Sequence, residues 1–161
     1  MKFGIIKERK NPPDRRVVFT PEELVRLQSE HPEAEINVES SDIRIFSDDQ
    51  YRNLGLNVTA EMSDCDVLFG VKEVPVDALI PNKKYFFFSH TIKKQPYNRK
   101  LLKAILDKNI ELYDHETIVD ATNHRLIGFG RYAGLVGAYN GFRGFGIKYD
   151  LFTLPKAETL S

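Results

Sequence analysis

Short apolar bursts alternate along this chain with stretches whose apolar residues recur at helical spacing. Lys2–Lys7 (KFGIIK), Glu35–Glu39 (EINVE), Asp66–Val71 (DVLFGV), Lys84–Ser89 (KYFFFS) and Ile110–Tyr113 read as strands, and Arg125–Phe129 as a last short one. Thr20 opens a helix as its N-cap, with Pro21 at the first helical position, Glu23 at the third, and Leu24 and Leu27 on one face. Asp48–Leu54 reads as a short helix stopped at Gly55. Pro96–Lys108 is a longer one with Leu101, Leu102, Ile105 and Leu106 as its stripe. Gly130–Gly146 is helical by pattern, and the tail to Ser161 is ambiguous. Strands that alternate with helices argue for an α/β fold, a mostly parallel sheet with helices on both faces.

The chain has 161 residues, enough for one domain or for one and a small appendage. Lys+Arg and Asp+Glu are each 23. That balance lacks the cationic excess of a nucleic-acid or membrane-surface binder. Cys65 is the one cysteine, so no internal disulfide forms and a reducing compartment suits the chain. No apolar run resembles a signal peptide or approaches the ~20 residues of a membrane helix. The expected location is cytoplasmic. Charge is segregated: ten acids face Arg44 and Arg52 between Glu30 and Asp66, whereas seven Lys or Arg and no acid fall between Asp77 and Asp107. The second stretch is either a solvated helix face or a basic rim that attracts anionic substrates such as dicarboxylates.

In a parallel α/β sheet the working surface lies at the carboxyl ends of the strands. The polar residues just past those ends are Arg15 and Arg16, Lys72 and Glu73, His90, and Asp114 to Glu116. Lys72 ends an apolar strand, where partial desolvation would make it an acid–base group; the plainer reading is a surface lysine paired to Glu73. His90 is either its acid–base companion or a satisfied core histidine. Arg16 has the fork that grips a carboxylate. Asp114, Glu116 and Asp120 read first as caps or loop hydrogen-bonders. His90, His115 and His124 lack metal spacing, so no metal site is expected.

Seven of the ten glycines fall between Gly128 and Gly146, and Gly130, Gly134, Gly137, Gly141 and Gly144 share one helical stripe. Close approach of another backbone is the usual reason for such a stripe. The segment contains no G-x-G-x-x-G phosphate fingerprint, so no cofactor-binding residues are expected in this chain.

The opening GIIKERKNPPDRRVVFTP resembles the start of the alanine dehydrogenase and transhydrogenase N-terminal domain. GVKEVP, FSHTIKKQPYN, KNIELYDHETIVD and RLIGFGRYAGLVGA follow in the family order. The H-T-x-K-x-Q segment is more similar to the lysine–2-oxoglutarate reductase and saccharopine dehydrogenase branch than to alanine dehydrogenase. The resemblance implies a Rossmann-like (flavodoxin-like) domain, residues 1–129, ending in a glycine-striped helix within an inter-domain segment, residues 130–161. It implies an enzyme in which this domain binds an amino acid or 2-oxo acid and a second domain, or a partner subunit, binds NAD(P). Lys72 and His90 match the family's acid–base pair. Arg16 matches its carboxylate-binding arginine; Lys93, Gln95, Glu73 and Glu116 complete the substrate side, with Glu116 tuning the lysine through charge. Asp14-Arg15-Arg16 stands where the family often has Glu-x-Arg, which leaves the partner of Arg16 open. The family continues into a cofactor domain, so the chain is expected to be a fragment or a stand-alone domain, inactive in hydride transfer alone. Alternatives are an alanine-dehydrogenase-like domain, a non-catalytic binding module, or a separate subunit. A homo-oligomer is expected, joined at Gly130–Gly146.

Overall fold

All but one of the apolar bursts become strands of one sheet. In a computed structural model, which describes residues 1–159, these are β1 (Lys2–Ile5), β2 (Glu35–Glu39), β4 (Val67–Lys72), β5 (Lys84–Phe88) and β6 (Glu111–Asp114). A sixth strand, β3 (Asn57–Thr59), joins at the edge. The helices are α1 (Pro21–Glu30), α2 (Asp48–Asn53), α3 (Arg99–Asp107) and α4 (Gly130–Lys148). The strand order is β3-β2-β1-β4-β5-β6 and every pairing is parallel. This is the Rossmann order of doubly wound sheets, and the direction in which strands are added reverses between β1 and β4. All six carboxyl ends therefore lie along one edge, with the switch-point crevice outside β1 and β4.

Two clusters sandwich the sheet. Leu24 of α1 and Tyr51 of α2 pack with Ile5, Ile36 and Val38 on one face. Leu101, Ala104 and Ile105 of α3 pack with Leu68, Tyr85 and Phe87 on the other. The starts of α1 and α2 are fixed locally by capping boxes, Thr20 with Glu23 and Ser47 with Gln50. Gly55 ends the second with φ +82°, a conformation open to glycine.

Three readings need correction. Arg125–Phe129 is not a strand: Arg125 makes only an isolated antiparallel bridge to Val119. The Asp120 carboxylate instead ties Thr122 and His124 into a turn that folds this segment back, so no neighbouring strand accepts the RLIGF burst. β3 escaped notice because Asn-Val-Thr has one apolar residue and lies at an edge. Pro96–Asn98 forms a separate 3-10 turn before α3.

The chain divides into two compact units, Met1–Leu126 and Ile127–Ser161. The last two residues of the expected 130–161 segment, Leu160 and Ser161, lie outside the described residues. In the second unit the chain after α4 doubles back along the helix. Tyr139 Oη donates to Pro155 O at 2.9 Å, Arg143 Nε to Leu154 O at 2.9 Å, and Phe142 packs on Phe152.

Candidate active site

Lys72 is presented by an irregular strand end. Pairing of β4 with β5 runs in step to Phe69↔Phe86 and resumes at Lys72↔Phe88, so the strand bulges between Phe69 and Lys72. On the other side β1 makes its last contact through Ile6 N–H, which donates to Phe69 O at 2.9 Å. Past that point the Glu8 carboxylate accepts the Val71 and Lys72 N–H groups at 2.7 and 2.9 Å. Burial pushes the Glu8 carboxyl up, against the opposing pull of those two bonds.

His90 follows β5 in a left-handed conformation, φ +57°, and its carbonyl accepts from Asn98 Nδ2 at 2.9 Å. Both expected acid–base residues lie against Phe88. Lys72 Nζ is 5.8 Å from the Phe88 ring centroid, within cation–π range, and the His90 ring crosses the same ring at 81° with centroids 6.3 Å apart.

Glu116 forms a second centre. Its carboxylate, 9% exposed, is 3.2 Å from Lys93 Nζ, 4.0 Å from His90 Nδ1, and ion-paired to Arg125. Burial works to raise the Glu116 carboxyl; hydrogen bonds and charge from Lys93 and Arg125 overcome it and hold it below the usual range. Around Arg16, the Asp14 carboxylate accepts Nε at 2.9 Å and the backbone N–H at 3.0 Å. Asp14 is thus the partner that the motif left open. The bonded guanidinium holds Asp14 low despite partial burial, and the Lys72 charge adds to that effect. Glu8 in turn feels Asp14 and Arg16, so these four groups share one electrostatic neighbourhood.

Glu73 pairs with Lys10 at 3.4 Å, not with Lys72. Gln95 lines a pocket of about 360 Å³ with Thr91, Lys94, Asn98 and Arg99. Among the described residues, the buried polar side-chain atoms without a hydrogen-bond partner are Glu73 Oε2, His90 Nδ1, His115 Nδ1 and Glu116 Oε2. Each lies just past the end of β4, β5 or β6, and such atoms cost stability, which is the usual mark of a site kept for function. The geometry thus brings Lys72 and His90 together at Phe88 and His90 and Lys93 together at Glu116, while Asp14 feels the charges of both Arg16 and Lys72. Sequence reasoning passed over Glu8, Lys10, Phe88 and Arg125. Glu8 had a signal, an acid directly after the first apolar strand as read; Arg125 had none, because its pairing depends on the turn at Asp120.

An all-parallel sheet of this order, with its polar cluster at the ends of β4 and β5, is a Rossmann-like α/β domain. Residues 4–136 match the alanine dehydrogenase/PNT N-terminal domain, and the chain belongs to that family. An alpha-aminoadipic semialdehyde synthase of Arabidopsis thaliana is 35% identical over 147 residues, covering 89% of this chain and 14% of the relative. A saccharopine dehydrogenase [NAD(+), L-lysine-forming] of Yarrowia lipolytica is 29% identical over 131 residues, covering 78% of this chain and 35% of the relative. The chain thus spans well under half the length of these relatives. A solved L-alanine dehydrogenase shares the fold, with TM-score 0.61 and 21% identity over 77% of this chain and 35% of that one.

Proposed function

We propose that this chain is the substrate-binding and acid–base half of a saccharopine-type, NAD(P)-dependent amino-acid dehydrogenase that joins lysine to a 2-oxo acid. The observation that carries the reading is the approach of both Lys72 and His90 to the Phe88 ring, at adjacent strand ends near the switch point. The similarity to saccharopine dehydrogenase favours this substrate class.

In the condensation, the amine nitrogen bonds to the 2-oxo carbon and the carbonyl electron pair moves to oxygen, which takes a proton. The nitrogen gives up a proton to a base. Protonation of the resulting hydroxyl then expels water and leaves the protonated imine, the form that a hydride reduces. Lys72 and His90 supply and collect these protons. Arg16 holds a substrate carboxylate through its guanidinium, and Asp14 fixes the plane of that group. Glu116 balances the charge of Lys93 and His90, while Glu73 and Gln95 complete the substrate wall.

NAD(P) is the redox partner of the whole enzyme in this reading. It does not fit the crevice of this sheet. The Glu8 carboxylate occupies the backbone N–H groups of Val71 and Lys72 there, where a pyrophosphate would need open donors, and no glycine-rich turn follows β1. The reading therefore assigns the cofactor to a further domain or partner subunit, places the enzyme in the cytoplasm, and includes a second copy of this chain as a contact.

The test is kinetic. In a full-length enzyme carrying this domain, Lys72→Met is expected to lower kcat by ~10²–10⁴-fold with KM near the parent value. Turnover within about threefold of the parent would sink the acid–base reading.

A further inference from the structure

The strand that presents Lys72 is held by a side chain. Between Phe69 and Lys72 the β4 register slips against β5, and β1 has already left the sheet after Ile6. A backbone N–H left unpaired in a buried strand end is costly. The Glu8 carboxylate stands where the departed strand would have been and receives both N–H groups, from Val71 at 2.7 Å and Lys72 at 2.9 Å. Glu8 itself is 8% exposed. Gly70 lies against both neighbours: a Cβ there would crowd the Ile6 side chain at 3.1 Å and meet Glu8 Oε1 at an ordinary 3.6 Å. On the other side the bulge is pinned by His115, whose Nε2 is 3.0 Å from Gly70 O. The bulge therefore has two anchors, a carboxylate on its N–H groups and an imidazole on its carbonyl.

We propose that Glu8 is a positioning residue: by bridging the Val71 and Lys72 N–H groups it fixes the β4 bulge and so holds the Lys72 side chain over the Phe88 ring, which His90 also touches. The purpose assigned to this hold rests on the reading of Lys72 as an acid–base group, but the hold itself does not. A bidentate carboxylate is required. Glutamine keeps the shape and offers one acceptor oxygen for two donors. Aspartate keeps the charge and stops one methylene short.

The experiment is NMR on the full 161-residue chain. With Lys72 over an aromatic face at 5.8 Å, its ε-methylene protons carry a ring-current shift. In Glu8→Gln that shift is expected to collapse toward the value of a free lysine. The Val71 and Lys72 amides should exchange with solvent roughly tenfold faster or more, while amides of β2 keep their rates. Retention of the ring-current shift in Glu8→Gln, with only a general loss of thermal stability, overturns the proposal. Should the glutamine variant fail to fold, Glu8→Asp decides: charge alone would preserve the shift, and the bridging geometry predicts its loss. A measurement on the parent chain needs no variant. Couplings across the hydrogen bonds from the Val71 and Lys72 amides to the Glu8 carboxyl carbon are expected, and their absence from both also overturns it. Failure of the acid–base reading would appear in the turnover of Lys72→Met, whereas failure of this one appears in the resonances of Lys72 itself.

Discussion

At Glu116, burial and charge pull in opposite directions, and charge wins. Desolvation favours the neutral acid, yet Lys93 and Arg125 keep the carboxyl below its ordinary value of 4.5. A folded-state pKa below the unfolded one means that the unfolded chain takes up the proton first. The stabilisation is therefore fully present above about pH 4.5 and is lost as the pH falls below it, through the folded-state value. Asp14 and Asp48 act in the same sense, and Glu8, whose carboxyl is raised, acts in the opposite one. Only a comparison isolates Glu116. Glu116→Gln is expected to cost about 1 kcal/mol at neutral pH, discounted because Lys93 and Arg125 are about half exposed. Its urea midpoint should converge on that of the parent as the pH is lowered from 5 to about 3. A gap that stays constant over this range would mean that the charge of Glu116 is not what stabilises the fold. The residues of this cluster were legible only in part. Lys72, His90 and Glu116 each follow an apolar burst, so the parallel-sheet rule pointed at them. The roles of Phe88 and Arg125 depend on side chains meeting from distant segments, which no local pattern encodes.

At the scale of elements, the strands and helices that carry strong local signals stand where the pattern put them. β2 spans Glu35–Glu39 as read, and α1 starts at Pro21 behind Thr20. The capping box explains that agreement, because both of its bonds lie within four residues: Glu23 N–H to Thr20 Oγ1 at 3.2 Å and Thr20 N–H to Glu23 Oε2 at 3.0 Å. Thr20→Ala is expected to cost about 1 kcal/mol and to lower the melting temperature by about 3 °C, as thermal unfolding monitored by circular dichroism would show. No change would mean that packing of Leu24 alone sets where α1 begins. Where reading and structure part, the deciding force is not local. Arg125–Phe129 has a strand-like composition, but no strand edge is available to it and the Asp120 turn claims the segment. β3 is polar and short, and exists because β2 offers it an edge. Propensity yields to tertiary context in both cases.

At the scale of the whole molecule, the glycine stripe of α4 asks for a second surface. Each interior glycine costs a helix ~1 kcal/mol relative to alanine, and this stripe has four of them behind Gly130 at the helix start. Among the described residues, no heavy atom beyond the adjoining residues and the helix's own nearby backbone lies within 4 Å of the position that a Cβ would take at Gly130, Gly134, Gly137, Gly141 or Gly144. The close approach that would offset the cost is therefore not made within the described chain. Beside the stripe, Leu135, Phe142 and Phe145 are 60%, 59% and 50% exposed, an apolar surface of the kind that favours association. A flat helix face is self-complementary, so two copies can cover each other across a two-fold axis with one surface each. The chain is accordingly expected to form a homodimer or larger species with Gly130–Gly146 at the contact. Gly137→Leu should weaken that association while leaving the sheet intact, since no described atom beyond the adjoining residues and the helix's own nearby backbone lies within 4 Å of the added Cβ. Sedimentation equilibrium separates the outcomes. A clean 18.5 kDa monomer at ~100 μM would place any dimer weaker than about −5.5 kcal/mol. The stripe would then have to be offset by a different partner, and the homodimer would be excluded as its explanation.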